Sequence, residues 1–244
     1  MPRITRGLTG RFLYHIFNRG NGRQKVFRTA EDYQFFLELM AKAKQIHPVK
    51  IFAYCLMPNH FHVVLQPEED GELSRWVHWL LTSHVHHHHL IHKTEGHLWQ
   101  DRFRAFIVQE DAHFLSVMRF VEGNPVRKGL VESADQWPWS SHGETIGKKE
   151  RRIVCPCPVE LPPFWAEFVN SLILRTELTR LQECESRQSP YGDPLWQYEL
   201  CRKLGLESTI RPRGRPRKNG NGNENGGITG GLKWLRRNVP WRIP

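Results

Sequence analysis

Long apolar runs are missing from this chain of 244 residues. No segment approaches the roughly 20 consecutive apolar residues that a membrane-spanning helix requires. We therefore expect no integral membrane segment. Residues 1–6 have no apolar core behind them, so we also expect no secretory signal.

Cysteine is scarce, with only five residues at irregular spacing. An odd number without regular spacing argues against a disulfide framework and suits a reducing cytosol. Cys155 and Cys157 are close in sequence, but no second pair at zinc-binding spacing follows them. We therefore expect no structural zinc site.

Acidic residues are outnumbered, because 25 Asp and Glu face 35 Lys and Arg and leave a formal net charge of +10. An excess of this size favours a polyanionic partner, either nucleic acid or an anionic membrane surface. No basic amphipathic helix supports the membrane surface. Hydrophobic residues make up 39% of the chain and nine of them are Trp, so a substantial core can form.

The stretch MPNHFHVVL, residues 57–65, predicts a strand that is entered through a tight turn. Side chains alternate across a strand, so His60 and His62 share one face and Phe61 lies on the other. Two imidazoles on a rigid strand can supply two ligands of one divalent cation. An ordinary pair of half-buried histidines remains an equal alternative on these residues alone.

The rest of the first half predicts an alternation of strands and helices. We expect strands at 11–18, 49–57 and 60–66, a turn and a fourth strand within 96–108, and helices at 30–46, 73–93 and from Asp111 onward. On the last strand Arg102 and Arg104 alternate with Phe103, which predicts both arginines on one face. That arrangement suits a phosphate backbone, and an edge strand with solvated charges is equally open.

The second predicted helix carries four successive histidines, residues 86–89. A helix spreads four consecutive residues around its circumference, so they cannot bind one metal as a set. We expect a solvated helix surface. His84, His88 and His92, which are spaced four residues apart, remain a weaker alternative ligand set.

After about residue 147 the composition changes. Residues 148–163 are rich in proline and predict a linker, and residues 164–210 predict helices at about 164–184 and 195–204. Residues 211–244 form a basic, Gly/Asn-rich tail that we expect to be flexible. Within it, Arg213 and Arg215 flank Gly214 as in the core of an AT-hook, whose arginines enter a narrow minor groove. A non-specific tether to DNA is the alternative.

Four motifs in order carry a resemblance to a known family. They are PNHFH at 58–62, GHLWQDRF at 96–103, NPVR at 124–127 and WPWSS at 137–141. Together they resemble the REP-associated tyrosine transposases, relatives of the IS200/IS605 transposases within the HUH single-strand nucleases. The resemblance covers about residues 1–145. It implies an α+β fold over residues 1–147, a ferredoxin-like antiparallel sheet with helices on its faces, and a cytoplasmic, nucleoid-associated protein.

The resemblance also implies a site. His60, His62 and Asn124 would hold Mg²⁺ or Mn²⁺, although Asn124 also suits a helix cap before Pro125. The partner would be single-stranded or hairpin DNA, bound by a monomer or homodimer. The implied DNA contacts are Arg102, Arg104, Arg127, Arg213 and Arg215.

The family places a nucleophilic tyrosine one helical turn before the asparagine ligand, and here that position is Phe120. Phenylalanine has no hydroxyl, so we predict that this chain does not form the covalent 5′-phosphotyrosine. Two roles stay open: a transposase whose nucleophile is missing, and a non-catalytic protein that binds hairpin repeats. A histidine-triad nucleotide hydrolase is disfavoured, because it needs a histidine where Val64 stands.

Overall fold

The structure is a computed structural model that describes residues 9–211. The predicted tail, including Arg213 and Arg215, therefore lies outside the described residues. The first half contains β1 (Leu13–Arg19), α1 (Ala30–Ile46), β2 (Val49–Met57), β3 (His60–Pro67), α2 (Glu72–His92), β4 (Arg104–Val108) and α3 (Ala112–Glu122). The second half is helical, with α4 (Asn124–Arg127), α5 (His142–Thr145), α6 (Trp165–Asn170), α7 (Arg175–Arg187), α8 (Pro194–Leu204) and α9 (Glu207–Ile210).

The four strands form one sheet in the order β2-β3-β1-β4, and every neighbouring pair is antiparallel. This is the strand order of a ferredoxin-like βαββαβ unit, so the predicted fold class is confirmed. The predicted hairpin is also present, since Met57 pairs with His60 across a two-residue turn. Pro58 and Asn59 occupy that turn, as their turn propensity predicts.

The helix α1 begins where its sequence predicts. The Oγ1 atom of Thr29 accepts from the backbone N–H of Asp32 at 3.4 Å, and the Asp32 carboxylate accepts from the Thr29 N–H at 3.0 Å. This reciprocal capping satisfies two N–H groups that have no partner inside a helix. Along the helix, Phe36, Met40 and Ala43 recur every three or four residues and are buried against the sheet.

The two faces of the sheet are covered by different helices. Phe61, Val63 and Leu65 pack with residues of α1 and α2, whereas Val64 packs with residues of α3. His60 and His62 have the same parity as Val64 and lie on the α3 side, with their ring centroids 5.0 Å apart. The predicted alternation of β3 is therefore confirmed.

The fourth strand is shorter than predicted. It begins at Arg104, and Arg102 lies in the loop before it. The loop backbone bonds elsewhere: Leu98 O accepts from the Asn21 N–H, and the Gln100 N–H donates to Arg19 O, both at 2.9 Å. These bonds hold the loop beyond the end of β1, so the ladder starts only after it. The prediction of both arginines on one strand was wrong.

The segment 137–141 packs against the domain, as its tryptophans predict. The Trp137 indole N–H donates to Leu56 O at 3.0 Å, and Ser141 Oγ accepts from the Tyr54 N–H at 3.0 Å. The segment 148–163 has no helix or strand, yet its Cys155 N–H donates to Ile51 O at 2.7 Å. Whether it separates two domains stays a prediction.

The predicted helix at 164–184 is two helices, α6 and α7, with a break at residues 171–174. Arg119 holds the break, because its guanidinium donates to Ser171 O at 3.0 Å and to Leu172 O at 2.8 Å. All five cysteines are free thiols. Within residues 9–211, no helix has both the length and the apolar character needed to cross a membrane.

Candidate functional site

A groove of about 690 Å³ opens on the α3 side of the sheet. Its walls come from β1, from β3, from the adjacent helices α3 and α4, and from α7, so four separate parts of the chain meet there. Among its lining residues are His60, His62, Phe120, Asn124 and Arg127. The groove therefore collects the two histidines of β3 with the residues predicted near the end of α3.

His60 presents one nitrogen to the groove. Its Nδ1 donates to Oδ1 of Asn59 at 2.7 Å, which leaves a lone pair on Nε2. The amide of Asn124 lies 3.5 Å from that Nε2, and a turn of the amide brings its oxygen to the same side. Burial first, then the charges of Lys128 and Arg19, lower the pKa of His60 to about 4. His60 is therefore neutral at pH 7, as a metal ligand must be.

His62 is buried and meets a second histidine. Its Nδ1 lies 2.9 Å from Nε2 of His15 on β1, and the two rings are tilted by only 6° with centroids 5.0 Å apart. Burial, and after it the neighbouring His15 and His60, hold the pKa of His62 well below its usual value. One nitrogen of each β3 histidine is thus held by the protein, and such partners fix the orientation of metal-binding imidazoles.

Glu185 reaches this pair of histidines from α7. One carboxylate oxygen, Oε1, lies 3.6 Å from Nδ1 of His62 and 4.0 Å from Nδ1 of His15. Both distances are too long for a hydrogen bond, and Oε1 and the His15 Nδ1 are buried without a partner. Burial raises the pKa of Glu185 to about 7, although Arg127 and Arg104 oppose the rise. His15, His62 and Glu185 are close enough together to be considered as ligands of one metal.

The sequence predictions did not include His15 or Glu185. A signal for His15 existed, since it is the one histidine among the apolar and aromatic residues between Phe12 and Phe17. Glu185 had no such signal, because α7 is polar over most of its length and Glu185 is one of three glutamates in it. Only the packing of α7 against the sheet selects it.

Phe120 faces the same histidines. Its ring lies edge-on to His62, with centroids 5.7 Å apart and planes at 87°. The guanidinium of Arg127 lies 4.3 Å from the centre of the ring and donates to the Phe120 carbonyl oxygen. Arg127, predicted as a DNA contact, is therefore at the groove but already engaged with Phe120.

We predicted that Phe120 and Asn124 lie on one continuous helix, and that prediction was wrong. The helix α3 ends at Glu122, Gly123 is its C-cap, and Asn124 starts α4. The chain is tight at this point, because a Cβ on Gly123 would lie 2.9 Å from Val169 O and 3.0 Å from Arg119 O. The alternative reading of Asn124 as the helix cap is thus wrong, and its side chain points instead toward His60.

The end of α3 is anchored by the carboxylate of Glu122, which is fully buried. It accepts from Ser141 Oγ at 2.7 Å, Thr145 Oγ1 at 2.6 Å and the Trp165 indole N–H at 2.9 Å, and the His142 Nδ1 lies at 2.9 Å. If the Glu122 side chain moved, these partners would lose their hydrogen bonds inside the protein. The network therefore holds the end of α3 in one geometry. Phe120 and Asn124 lie two residues before and two residues after Glu122, so the network also fixes their positions.

Arg102 and Arg104 line a smaller pocket of about 170 Å³ beside the groove. The pocket and the groove share Phe17, Arg19, Gln182 and Glu185 as lining residues. Arg102 is exposed and Arg104 is half-buried. The two predicted arginines therefore come together on the groove side of the molecule, although they belong to a loop and a strand.

The histidine-rich helix lies on the other side of the sheet. His86 is exposed as predicted, but His88 is only 1% exposed, so the prediction of a solvated surface was wrong at that residue. His84 is buried among aromatic rings, with Phe36 at 4.9 Å and Trp99 at 5.5 Å between centroids. Within residues 9–211, the histidines of α2 form no compact group of three metal ligands.

Comparison with known proteins relates the chain to DNA transposases. The family described as "Transposase IS200 like" matches residues 9–124. A Haemophilus influenzae protein assigned to the REP-associated tyrosine transposases is 27% identical over 105 residues, which cover 39% of this chain and 60% of that protein. The REP-associated tyrosine transposase of Escherichia coli K12 is 24% identical over 136 residues, covering 55% of this chain and 78% of that protein.

A solved structure of a REP-associated tyrosine transposase bound to a REP hairpin has the same fold. It is 21% identical, superposes with a TM-score of 0.52, and covers 71% of this chain and 99% of that one. The family match includes His15, His60, His62, Phe120 and Asn124. It ends before Glu185, so the α7 contribution to the groove lies beyond it.

Proposed function

We propose that the protein is a transposase-type protein that binds single-stranded DNA folded into hairpins, because residues 9–124 match the IS200-like transposase family and the similar proteins are REP-associated tyrosine transposases. We further propose that its groove is the site of metal-assisted strand transesterification when a tyrosine occupies position 120. With Phe120, this chain binds the DNA without cutting it. We place it with the nucleoid in the cytoplasm.

The observation that carries the proposal is the convergence in the groove. His60, His62 and Asn124 come from a strand and a helix 64 residues apart, yet the Asn124 amide is 3.5 Å from His60 Nε2. Two neutral imidazoles and one amide oxygen form a donor set that suits Mn²⁺ or Mg²⁺ and leaves positions open for phosphate oxygens. When bound, the cation would polarise the scissile phosphate and offset the charge of the transition state.

The protein itself would orient the DNA and the nucleophile. Arg102 and Arg104 lie beside the groove and suit phosphates on either side of the reacting one. A hydroxyl on the ring at position 120 would attack phosphorus, the P–O3′ bond would break, and the 3′-hydroxyl would leave. The network around Glu122 keeps that ring and Asn124 in a fixed relation, which is the main requirement for such an attack.

The decisive experiment is Phe120→Tyr, assayed on a hairpin oligonucleotide with a single-stranded 5′ flank in Mg²⁺ and in Mn²⁺. We expect cleavage and a covalent protein–DNA adduct on a denaturing gel, since the Phe120 ring already faces His62. The chain with Phe120 should bind the same oligonucleotide and leave it intact. A Phe120→Tyr protein that binds metal and hairpin yet forms no adduct would contradict the role of position 120.

That last outcome is what the alternative predicts. A non-catalytic protein that recognises hairpin repeats has no need of the metal donor set, and binding would be independent of chelators. The basic groove side and the engagement of Phe120 by Arg127 fit this reading too. Hairpin binding that persists in EDTA, together with no adduct from Phe120→Tyr, would favour it. Equal affinity for the hairpin and for unrelated duplex would contradict both.

The tail beyond Arg211 adds a separate proposal, a second contact with DNA. Truncation after Arg211 keeps α9 and its contacts with Arg187 intact. If the tail is a tether, affinity should fall on every DNA with a shallower salt dependence. If Arg213 and Arg215 act as an AT-hook, the loss should concentrate on hairpins with an A·T-rich stem. Unchanged affinity on all DNAs would remove the tail from binding.

A further inference from the structure

Two buried polar atoms beside the cation site lack hydrogen-bond partners. They are Nδ1 of His15 and Oε1 of Glu185, and they lie 4.0 Å apart. His15 is fully buried, and the side chain of Glu185 is 17% exposed. A buried polar group without a partner lowers the stability of the fold. Two such groups side by side at the groove therefore indicate a functional role.

The proton between His15 and His62 can sit in two places. If His62 donates from Nδ1, its Nε2 keeps a lone pair and can bind a cation. If His15 donates from Nε2, the Nε2 of His62 carries the proton and cannot bind one. The 2.9 Å distance between the rings fits both arrangements.

The position of Glu185 favours one of these two proton arrangements. When His62 donates, Nε2 of His15 accepts, and the remaining proton of His15 must be on Nδ1. That N–H is the atom 4.0 Å from the Glu185 carboxylate. In the other arrangement a bare Nδ1 lone pair would face the carboxylate oxygen. With Glu185 ionised, as it is above its pKa of about 7, the carboxylate attracts the N–H and repels the lone pair, and burial strengthens both effects.

We propose that His15 and Glu185 are positioning residues for His62: Glu185 keeps the His15 proton on Nδ1, so that His62 donates from Nδ1 and offers Nε2 to the cation. The inference rests on the proposed function, because it concerns the same cation site. It assigns a role to α7, which lies outside the part of the chain that matches the transposase family.

A cation bound directly by His15, His62 and Glu185 fits the geometry less well. The planes of the two rings are nearly parallel, and their hydrogen-bonded nitrogens are 2.9 Å apart. Such nitrogens point at each other and share a proton, whereas two ligands of one metal point at a common third atom. The arrangement is that of a ligand and the group that orients it.

The first test measures Mn²⁺ binding by calorimetry with the full chain. His15→Leu removes the acceptor, and we expect affinity to fall about tenfold to a hundredfold, as is typical for groups that orient a ligand. His15→Gln puts an amide oxygen where Nε2 was and should restore most of the affinity. Glu185→Gln should lower the Mn²⁺ affinity about tenfold, at the lower end of that range. Glu183→Gln, an exposed change on the same helix, is the matched control.

The second test needs no metal. Long-range proton–nitrogen spectra of protein labelled with ¹⁵N-histidine show which ring nitrogen carries the proton. We expect His62 to be protonated on Nδ1, and we expect Glu185→Gln to shift it toward Nε2. A merely structural Glu185 would leave this ratio unchanged. The His62 signals are identified by their loss in His62→Asn.

The two failures are distinguishable. If the wild-type chain binds no Mn²⁺, the proposed metal site is wrong, while the spectra still test the proton arrangement. If it binds Mn²⁺ and the His15→Leu and Glu185→Gln proteins bind it equally well, the positioning role is wrong and the metal site stands. A His62 protonated on Nε2 in the metal-free wild-type protein would also overturn the inference.

Discussion

The two faces of the sheet both bury histidines, but in different surroundings. On the α3 face, His60 and His62 each have one nitrogen held by a protein partner and stand at a groove lined with arginine and lysine. On the α1/α2 face, His84 is enclosed by aromatic rings and its Nδ1 has no hydrogen-bond partner. The first arrangement prepares an imidazole to bind a ligand. The second uses an imidazole as a core side chain.

The second ring nitrogen therefore decides what a buried histidine does in this fold. Burial lowers the pKa in both places, to about 3 for His15 and His84 alike. A lowered pKa therefore does not mark the site. What differs is whether a partner fixes the tautomer and whether the free nitrogen reaches a cavity.

Removing one histidine from each face should produce the largest difference between the two faces. We expect His62→Ala to lose Mn²⁺ binding altogether, a larger effect than the tenfold to hundredfold typical of outer groups. His84→Leu should bind Mn²⁺ with wild-type affinity, because α2 lies on the opposite face. Calorimetric titration of both proteins checks this. A loss of affinity in His84→Leu with the fold intact would show that the two faces are coupled.

A smaller effect is expected in acid stability. The pKa of His84 is lowered to about 3 by burial, whereas an unfolded chain has about 6.5. Between these values the unfolded state binds more protons, so the stability due to neutral His84 is complete above pH 6.5 and is lost as the pH falls toward 3. At pH 5 the loss from this one group is at most about 2 kcal/mol.

His84→Leu should therefore reduce the drop in stability between pH 7.5 and pH 5, measured by urea unfolding. Leucine fits the aromatic surroundings and leaves no unpaired polar atom. The drop should not vanish, since His60 and His15 on the other face also have lowered pKa values. His86→Leu, at an exposed position of the same helix, controls for loss of a helix histidine. An unchanged acid response in His84→Leu would contradict the argument.

The smallest effects concern single surface charges. On the groove side, Arg102→Gln and Arg104→Gln should each weaken binding of a single-stranded hairpin by roughly threefold to tenfold and lower the salt slope by about 1. Arg75→Gln, at the start of α2 and 54% exposed, removes the same charge elsewhere and should do much less. Binding measured at several salt concentrations checks this. Equal losses at all three positions would mean that DNA is attracted by net charge alone.

Much of the molecule followed from local sequence. The cap at Thr29, the hairpin turn at Pro58 and Asn59, and the shared face of His60 and His62 each depend on residues within a few positions of one another. Backbone geometry fixes such features wherever the segment lies, because turns, caps and alternation are short-range. The fold class was implied by the family resemblance, which four short motifs carry, and the family model that matches residues 9–124 includes the first three of them in whole or in part.

Long-range packing decided the rest. The residues near His88 in sequence do not predict that it is buried. The residues near Glu185 do not predict that α7 packs over β1 and β3. Arg102 left the predicted strand because its loop bonds to residues 19–21, about 80 positions earlier. The hydrogen-bond partner of each buried polar atom depends on where elements remote in sequence pack. Hydrogen bonds and burial depend on distance in space, so local periodicity does not predict them. The sequence alone therefore placed two histidines on one face of a strand, and the tertiary structure supplied the neighbouring groups that hold their ring nitrogens.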